Sequence, residues 1–296
     1  MIRLDKTKIY IIAVVAILIL AGIGYAFLSS DLSLNGVINV KKHEQQVDPE
    51  PEEQPICKRA TTLHTEVCNG SNTSTTCYGS GYNQGDTITY GNLGTAGALS
   101  SGDAFDCDVN GDGIYNSTNE RFYYVTSLDT DSSYGVLIYY NNIAQSAYDS
   151  EGKPRENGPM TLLSKIPTTS QWKNVSLKST TRKIKDETGT EYIDFSYEGY
   201  AARLLTHQEA VSACGSGNYR ASGYLDSCKY LLEHTYYANY YSAYNISWWL
   251  ENTHSALTMF ASIVQSGDRY LDITQSNQNV FGVRPAIEVP KSKIEY

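Results

Sequence analysis

The sequence lacks the short motifs that usually reveal an enzyme or a zinc site. Its 296 residues contain no Gly-x-Ser-x-Gly, no His-Glu-x-x-His and no Cys-x-x-Cys. Those spacings are typical of serine hydrolases, zinc peptidases and structural zinc sites. The five histidines fall in no metal or nucleophile signature. We therefore predict no catalytic residues, and enzymatic activity is the less favoured interpretation.

Positive charge is also scarce. The chain has 23 Lys and Arg against 32 Asp and Glu, which gives a net charge of −9. A surface of this sign repels the phosphate backbone of nucleic acids and attracts cations. The composition argues against a nucleic-acid partner and is compatible with binding a metal cation.

One long apolar segment stands near the N-terminus. Residues 9–27 carry no charge, and a helix of that length spans about 28 Å, close to the hydrocarbon thickness of a bilayer. Because three basic residues precede it, the positive-inside rule places residues 1–8 in the cytoplasm and the bulk of the chain outside. We predict a single-pass plasma-membrane protein with a transmembrane signal anchor over 9–27. The alternative is a signal peptide cleaved after Ala26.

The segment after this apolar run has the composition of a spacer. Residues 32–40 alternate like a short strand, and residues 43–55 are acidic and contain proline. Such a composition cannot bury a core. We predict a strand and an acidic stalk over 28–55, followed by one extracellular domain over 56–296.

All six cysteines follow the apolar run. An even number of cysteines in an exported chain predicts disulfide bonds. The segment between Cys214 and Cys228 looks like a closable loop, so we favour that pair. The other four cysteines would then staple the beginning of the domain; they are Cys57, Cys68, Cys77 and Cys107.

Residue patterns predict strands at both ends of the domain and helices in its centre. Thr206 and Glu209 form a capping-box pattern that starts a helix over 206–213, and a second helix is predicted over 227–233. Aromatic and β-branched runs predict the strands, which are 86–90, 121–128, 135–140, 247–250, 256–264, 269–273 and 280–289. This order favours an α+β fold, loop-rich and disulfide-stapled, with a mainly antiparallel sheet.

The stretch 108–120 spaces oxygen-bearing side chains as a calcium loop does. Asp108, Asn110 and Asp112 occupy the first, third and fifth positions, and Gly113 permits the sharp turn at the sixth. The predicted ligand set also contains the carbonyl of Ile114 and the side chains of Asn116, Asn119 and Glu120. The alternative is a turn that only resembles such a loop, because Asn, Asp and Gly are the usual turn formers.

Through its first nine positions this loop resembles those of dockerin modules. The twelfth position, where an acid is expected, is Asn119, and Glu120 follows one place later. A strand rather than a helix is predicted next, and there is no second copy, so cohesin binding is not implied. The loop pattern itself predicts one Ca²⁺ in an isolated loop, pinned by a disulfide at Cys107, with a dissociation constant of about 0.1–1 mM.

The C-terminal segment carries a second resemblance. Residues 281–289, Phe-Gly-Val-Arg-Pro-Ala-Ile-Glu-Val, follow a Trp-bearing strand, and residues 200–206, Tyr-Ala-Ala-Arg-Leu-Leu-Thr, begin a helix. These two segments, together with the Asp- and Gly-rich block at 102–113, make the chain similar to a domain of uncharacterised membrane-anchored surface proteins of Gram-positive gut bacteria. The closing motif is distantly similar to C-type-lectin-like and sulfatase-modifying folds, which implies paired terminal strands. No activity is implied, because the reactive cysteine pair of formylglycine-generating enzymes precedes that motif and Cys214 and Cys228 lie elsewhere.

Tyrosines are concentrated ahead of the Trp-bearing strand. Residues 236–244 read Tyr-Tyr-Ala-Asn-Tyr-Tyr-Ser-Ala-Tyr, and tyrosine is a favoured contact residue for protein and glycan ligands, although it also fills cores. The candidate ligand contacts are Tyr237, Tyr240, Tyr241, Tyr244 and Trp248. Together these features favour a cell-surface recognition or adhesion module with a structural calcium loop. The alternatives are an enzyme that processes surface polymers and a purely structural envelope protein.

Overall fold

The computed structural model describes residues 54–68, 83–215, 224–233, 247–265, 269–278 and 280–296. The chain divides into two units, Met1–Glu52 and Glu53–Tyr296, and the described residues all belong to the second. The predicted cytoplasmic tip, the anchor, the strand that follows it and most of the stalk lie outside them. Within the described ranges, no helix is long and apolar enough to cross a bilayer.

Short β-strands make up most of the described secondary structure. They are β1 Cys57–Arg59, β2 His64–Val67, β3 Thr87–Tyr90, β4 Ala104–Cys107, β5 Arg121–Leu128, β6 Asp131–Tyr139, β7 Ala144–Ser146, β8 Thr181–Lys185, β9 Glu191–Ser196, β10 Ser247–Thr253, β11 Phe260–Gln265, β12 Tyr270–Gln275, β13 Phe281–Val283, β14 Ala286–Pro290 and β15 Ile294–Glu295. The α-helices are α1 Pro154–Asn157, α2 Met160–Leu163 and α3 His207–Cys214, and 3₁₀ turns cover Tyr224–Leu232 and Lys291–Lys293.

Two mixed sheets organise the domain. The larger has the strand order β14-β6-β5-β4-β1-β15, and the smaller has the order β12-β11-β10-β13-β7. Each contains one parallel pair, β1 with β15 and β10 with β13, and all other neighbours are antiparallel. Two separate antiparallel hairpins, β2–β3 and β8–β9, complete the set. The predicted mainly antiparallel sheet is confirmed, and the described helices are few and short.

The larger sheet is buried on both faces. Side chains alternate across a strand, and the successive residues Phe122 and Tyr123 of β5 accordingly pack into two different hydrophobic clusters. Leu137 and Ile138 of the neighbouring β6 divide between the same two clusters. The apolar content of β5 and β6 therefore reflects a central position in the sheet rather than an exposed face.

The closing motif carries the chain from one sheet to the other. It contributes β13 to the smaller sheet and β14 to the larger one. Arg284, between them, is fully buried and donates hydrogen bonds to the carbonyls of Tyr139, Tyr230 and Leu231. All three acceptors are main-chain oxygens, so Arg284 joins β6, the 3₁₀ turn and the closing motif.

The central helix and the disulfides also follow the predictions in part. Thr206 and Glu209 form the predicted capping box at the start of α3, and Cys214 is bonded to Cys228. Cys57 is bonded to Cys107, and Cys68 is also disulfide-bonded. Cys77 lies outside the described residues. The predicted second helix over 227–233 is a 3₁₀ turn that begins earlier, at Tyr224.

Candidate metal centre

The loop 108–120 connects two adjacent strands of the larger sheet, β4 and β5. Its start is fixed by the Cys57–Cys107 disulfide. Its two ends are joined by a buried ion pair, in which Arg121 Nε lies 2.7 Å from Asp106 Oδ1. The loop is therefore mounted on a rigid base, as a binding constellation requires.

The first half of the loop winds around its own side-chain oxygens. Asp108 Oδ1 accepts hydrogen bonds from the amides of Gly111 (2.9 Å) and Asp112 (3.0 Å), and its Oδ2 accepts one from Gly113 (3.0 Å). Asp112 Oδ1 accepts one from the amide of Ile114 at 2.8 Å. Gly113 has φ +81°, a left-handed conformation that a side chain would disfavour. The sequence pattern therefore corresponds to a tightly wound loop with a glycine at its sixth position.

Glu120 is the carboxylate that this winding leaves incompletely paired. It is 5 % exposed, and its Oε2 accepts a hydrogen bond from the amide of Asn116 at 3.2 Å. Its Oε1 is buried without a hydrogen-bond partner. Burial raises the pKa of Glu120 to about 6, and the charges of Asp112 and Asp108 also raise it, whereas the amides of Asn116 and Asn110 lower it. Glu120 is therefore a buried carboxyl on which the charges of Asp112 and Asp108 act.

The other predicted ligands serve the turn between Asp112 and Glu120. Asn116 Oδ1 accepts a hydrogen bond from the amide of Thr118 at 2.9 Å. Asn119 contributes its main-chain oxygen, which accepts a hydrogen bond from Tyr139. The side chain of Ile114 is 61 % exposed, so only its carbonyl is suited to binding a cation. Of Asn119 and Glu120, only Glu120 is an acid, and its carboxyl is affected by the charges of Asp112 and Asp108.

The acidic side chains alone do not form a preassembled metal cluster. Among the described residues, no group of three or more His, Cys, Asp or Glu side chains could hold a metal ion by itself. Calcium sites also use amide and main-chain carbonyl oxygens and water, which Asn110, Asn116 and Ile114 offer here. The donor set consists wholly of oxygen, which suits a hard cation such as Ca²⁺ and not zinc. The fit therefore depends on the unpaired oxygen of Glu120 together with these neutral ligands.

The outer side of the loop contacts the beginning of the domain. The hydroxyl of Tyr115 donates a hydrogen bond to the carbonyl of Pro55, and Lys58 Nζ lies 4.3 Å from the centre of the Tyr115 ring. Asn174 donates a hydrogen bond to the carbonyl of Asp108 at 2.8 Å. A cavity of about 410 Å³ adjoins Asp108, Tyr115 and Asn174. Solvent and ions can therefore reach the loop from this side.

The end of the loop contacts a buried hydrogen-bonded cluster that the sequence analysis missed. His64 Nε2 lies 2.8 Å from the carbonyl of Ser117, and its Nδ1 lies 2.6 Å from Glu233 Oε1. Tyr123 donates a hydrogen bond to the other oxygen of Glu233. Burial lowers the pKa of His64, but the hydrogen bond and the charge of Glu233 outweigh this effect, so the pKa is raised overall. The carbonyl of Ser117 also raises this pKa, whereas the charge of Arg121 lowers it. No local motif signals this cluster, because its members are far apart in sequence.

The predicted ligand-contact residues do not form a site among the described residues. Tyr237, Tyr240, Tyr241 and Tyr244 lie outside those residues. The structure corrects the prediction for Trp248, which is fully buried. Its Nε1 donates a hydrogen bond to Leu231, and the guanidinium of Arg284 lies 5.5 Å from its ring. Trp248 therefore fills the core, because β10 has apolar clusters on both sides.

The chain matches no protein-family model, no curated protein and no solved structure. The resemblances drawn from its motifs remain predictions. The geometry of loop 108–120 is therefore the main guide to function.

Proposed function

We propose that the domain is a calcium-stabilised module of the cell surface, in which loop 108–120 binds one Ca²⁺. The ion would be held by the side chains of Asp108, Asn110, Asp112 and Glu120 and by the carbonyl of Ile114. Asn116 would hold it through water. Calcium supplies the positive charge that three neighbouring carboxylates lack, so its role is to order the loop rather than to catalyse a reaction.

The observation that carries this proposal is the buried, unpaired Oε1 of Glu120. Leaving a buried polar atom unsatisfied costs about 1–3 kcal/mol, and more where the group is charged. A turn selected only for its shape would gain stability from a neutral residue at this position. A carboxylate buried beside two others is instead expected where a cation completes the site.

Calcium titration of the purified full-length chain tests the proposal. We expect heat of binding, or displacement of tyrosine-sensitised terbium luminescence, with a dissociation constant of about 0.1–1 mM. Asp112→Ala should abolish the signal. Asp194→Ala is the matched control, because Asp194 is exposed on β9 and paired only with Lys183. A wild-type chain that shows no calcium binding would refute the proposal.

We propose further that the module serves in recognition or adhesion at the cell surface. The disulfides Cys57–Cys107 and Cys214–Cys228 favour an oxidising compartment, and the predicted anchor over 9–27 favours retention at the membrane. A glycan and peptide array, probed with the full-length chain with and without calcium, tests this part. Reproducible binding to one ligand class supports it. Silence across the array contradicts adhesion without affecting the calcium site.

A further inference from the structure

The departure of the loop from the twelve-residue spacing has a structural counterpart. Residues 116–120 close one extra turn, in which the amide of Glu120 donates to the carbonyl of Asn116 at 2.8 Å. That turn accommodates the additional residue and leaves Glu120 within reach of the charges of Asp112 and Asp108. A single turn of this kind leaves the carbonyls of its middle residues without donors from the turn itself. Those carbonyls belong to Ser117, Thr118 and Asn119.

Three side chains from elsewhere in the fold supply the missing donors, one to each carbonyl in succession. His64 Nε2 donates to Ser117, since a carbonyl can only accept. The hydroxyl of Tyr140 donates to Thr118, and the hydroxyl of Tyr139 donates to Asn119 at 2.9 Å. We call His64, Tyr139 and Tyr140 the carbonyl clamp.

The carbonyl clamp is itself held in place by packing. The rings of Tyr139 and Tyr140 meet edge to face at 4.8 Å, and those of His64 and Tyr140 at 5.1 Å. Tyr139 also packs against Phe122 and Trp172. The imidazole of His64 is fixed on its other side by the fully buried Glu233. Donors with so little freedom define the position of the backbone that they contact.

We propose that the carbonyl clamp positions Glu120 for calcium, so that a carboxylate one place beyond the usual position can still reach the ion. This inference rests on the proposed calcium site. The three residues act as positioning residues through their hydrogen bonds to the main chain of 117–119. Outer contacts that orient metal ligands are typically worth about 10–100-fold in metal affinity.

The test compares calcium affinity with stability in the absence of calcium. Tyr139→Phe combined with Tyr140→Phe removes both hydroxyls and keeps both rings. Because the carbonyls of 118 and 119 lie at the surface, water can replace the hydroxyls as donors but cannot fix the backbone. We expect the calcium dissociation constant of the double variant to rise about 10-fold. Its melting midpoint with chelator should stay close to that of the wild type.

The matched control is Tyr134→Phe, which removes a hydroxyl from the same strand at its other end, where Tyr134 packs against Lys178. It should leave calcium affinity unchanged. If the double variant binds calcium as tightly as the wild type, the clamp is structural only and the inference is refuted while the calcium site stands. If it loses stability without calcium, the single variants Tyr139→Phe and Tyr140→Phe decide, each expected to weaken binding by a smaller factor. If the wild type itself binds no calcium, both the site and the clamp are refuted.

Discussion

Replacing Glu120 with glutamine should stabilise the domain without calcium and remove the stabilisation that calcium provides. Without calcium, Glu120 is a buried carboxylate beside Asp108 and Asp112, and one of its oxygens is unpaired. Glutamine removes the charge and offers a donor to those carboxylates. Since an unsatisfied buried group costs about 1–3 kcal/mol, we expect the variant to be more stable by about 1–2 kcal/mol. For a domain of this size that raises the melting midpoint by about 2–8 °C.

With calcium, the wild type should gain stability relative to the variant. At about 10 mM calcium and a dissociation constant of about 0.1–1 mM, binding adds about 1.4–2.7 kcal/mol to the wild type. The variant lacks the acidic ligand and should gain almost nothing. Calcium should therefore narrow or reverse the advantage that the variant has in chelator.

Differential scanning calorimetry of the full-length chain near pH 7, in chelator and in calcium, measures all four midpoints. Glu198→Gln is the control, since Glu198 is exposed and lies outside the loop. The reasoning is refuted if Glu120→Gln melts lower than the wild type in chelator, or if it keeps the full calcium shift. The first result would mean that Glu120 is satisfied in the calcium-free protein, and the second that it is not a ligand.

Three further predictions concern the supports of the loop and the fold. Replacing Cys57 and Cys107 with serine removes a disulfide that links residues 50 positions apart. The loss should lower the free energy of unfolding by about 4 kcal/mol and weaken calcium binding. An unchanged midpoint of urea unfolding would contradict the expected loss of stability. The raised pKa of His64 means that its ion pair with Glu233 adds stability that is complete below about pH 6.5 and is lost as the pH rises through the folded-state pKa. A pH series of melting midpoints should therefore fall on the alkaline side in the wild type, and His64→Gln should flatten that fall; parallel curves would show that the pair is not responsible. Thr206→Ala removes the capping hydrogen bond of α3 and should cost about 1 kcal/mol in urea unfolding, with no effect on calcium affinity.

Elements with a strong local signal were predictable from sequence. The strand predicted over 121–128 matches β5, Arg121–Leu128, because its dense aromatic and β-branched residues fill both faces of a central strand. The capping box at Thr206 and the Cys214–Cys228 bond were predictable for the same reason, since each depends on residues close together in the chain. Short strands were missed. β1, β4 and β7 have three or four residues each, too few for a period to emerge, and the partners of β1 and β7 lie far away in sequence.

The candidate site likewise has one part that local sequence predicts and one part that it does not. Alternating oxygens and a glycine predict the winding from Asp108 to Ile114, which is a local property. The hydrogen bonds that end the loop are long-range: His64 lies 53 residues from Ser117, and no spacing rule relates them. The adjacent pair Tyr139-Tyr140 was visible in the sequence, but its contact with 118 and 119 depends on the pairing of β5 with β6. Only the tertiary structure could reveal it.

Two independent departures from ordinary rules meet at Glu120. By spacing, it stands one place beyond the acid expected in a calcium loop of this kind. By packing, it violates the rule that buried polar atoms are hydrogen-bonded. A turn formed by Asp, Asn and Gly for conformational reasons alone would require neither departure, because Asp108, Asn110 and Asp112 already satisfy the amides of the winding. The proposed cation would account for both at once, since it would pair this oxygen and require an acid at the end of the extra turn. Glu120 is therefore the residue at which calcium binding and a plain turn predict opposite results.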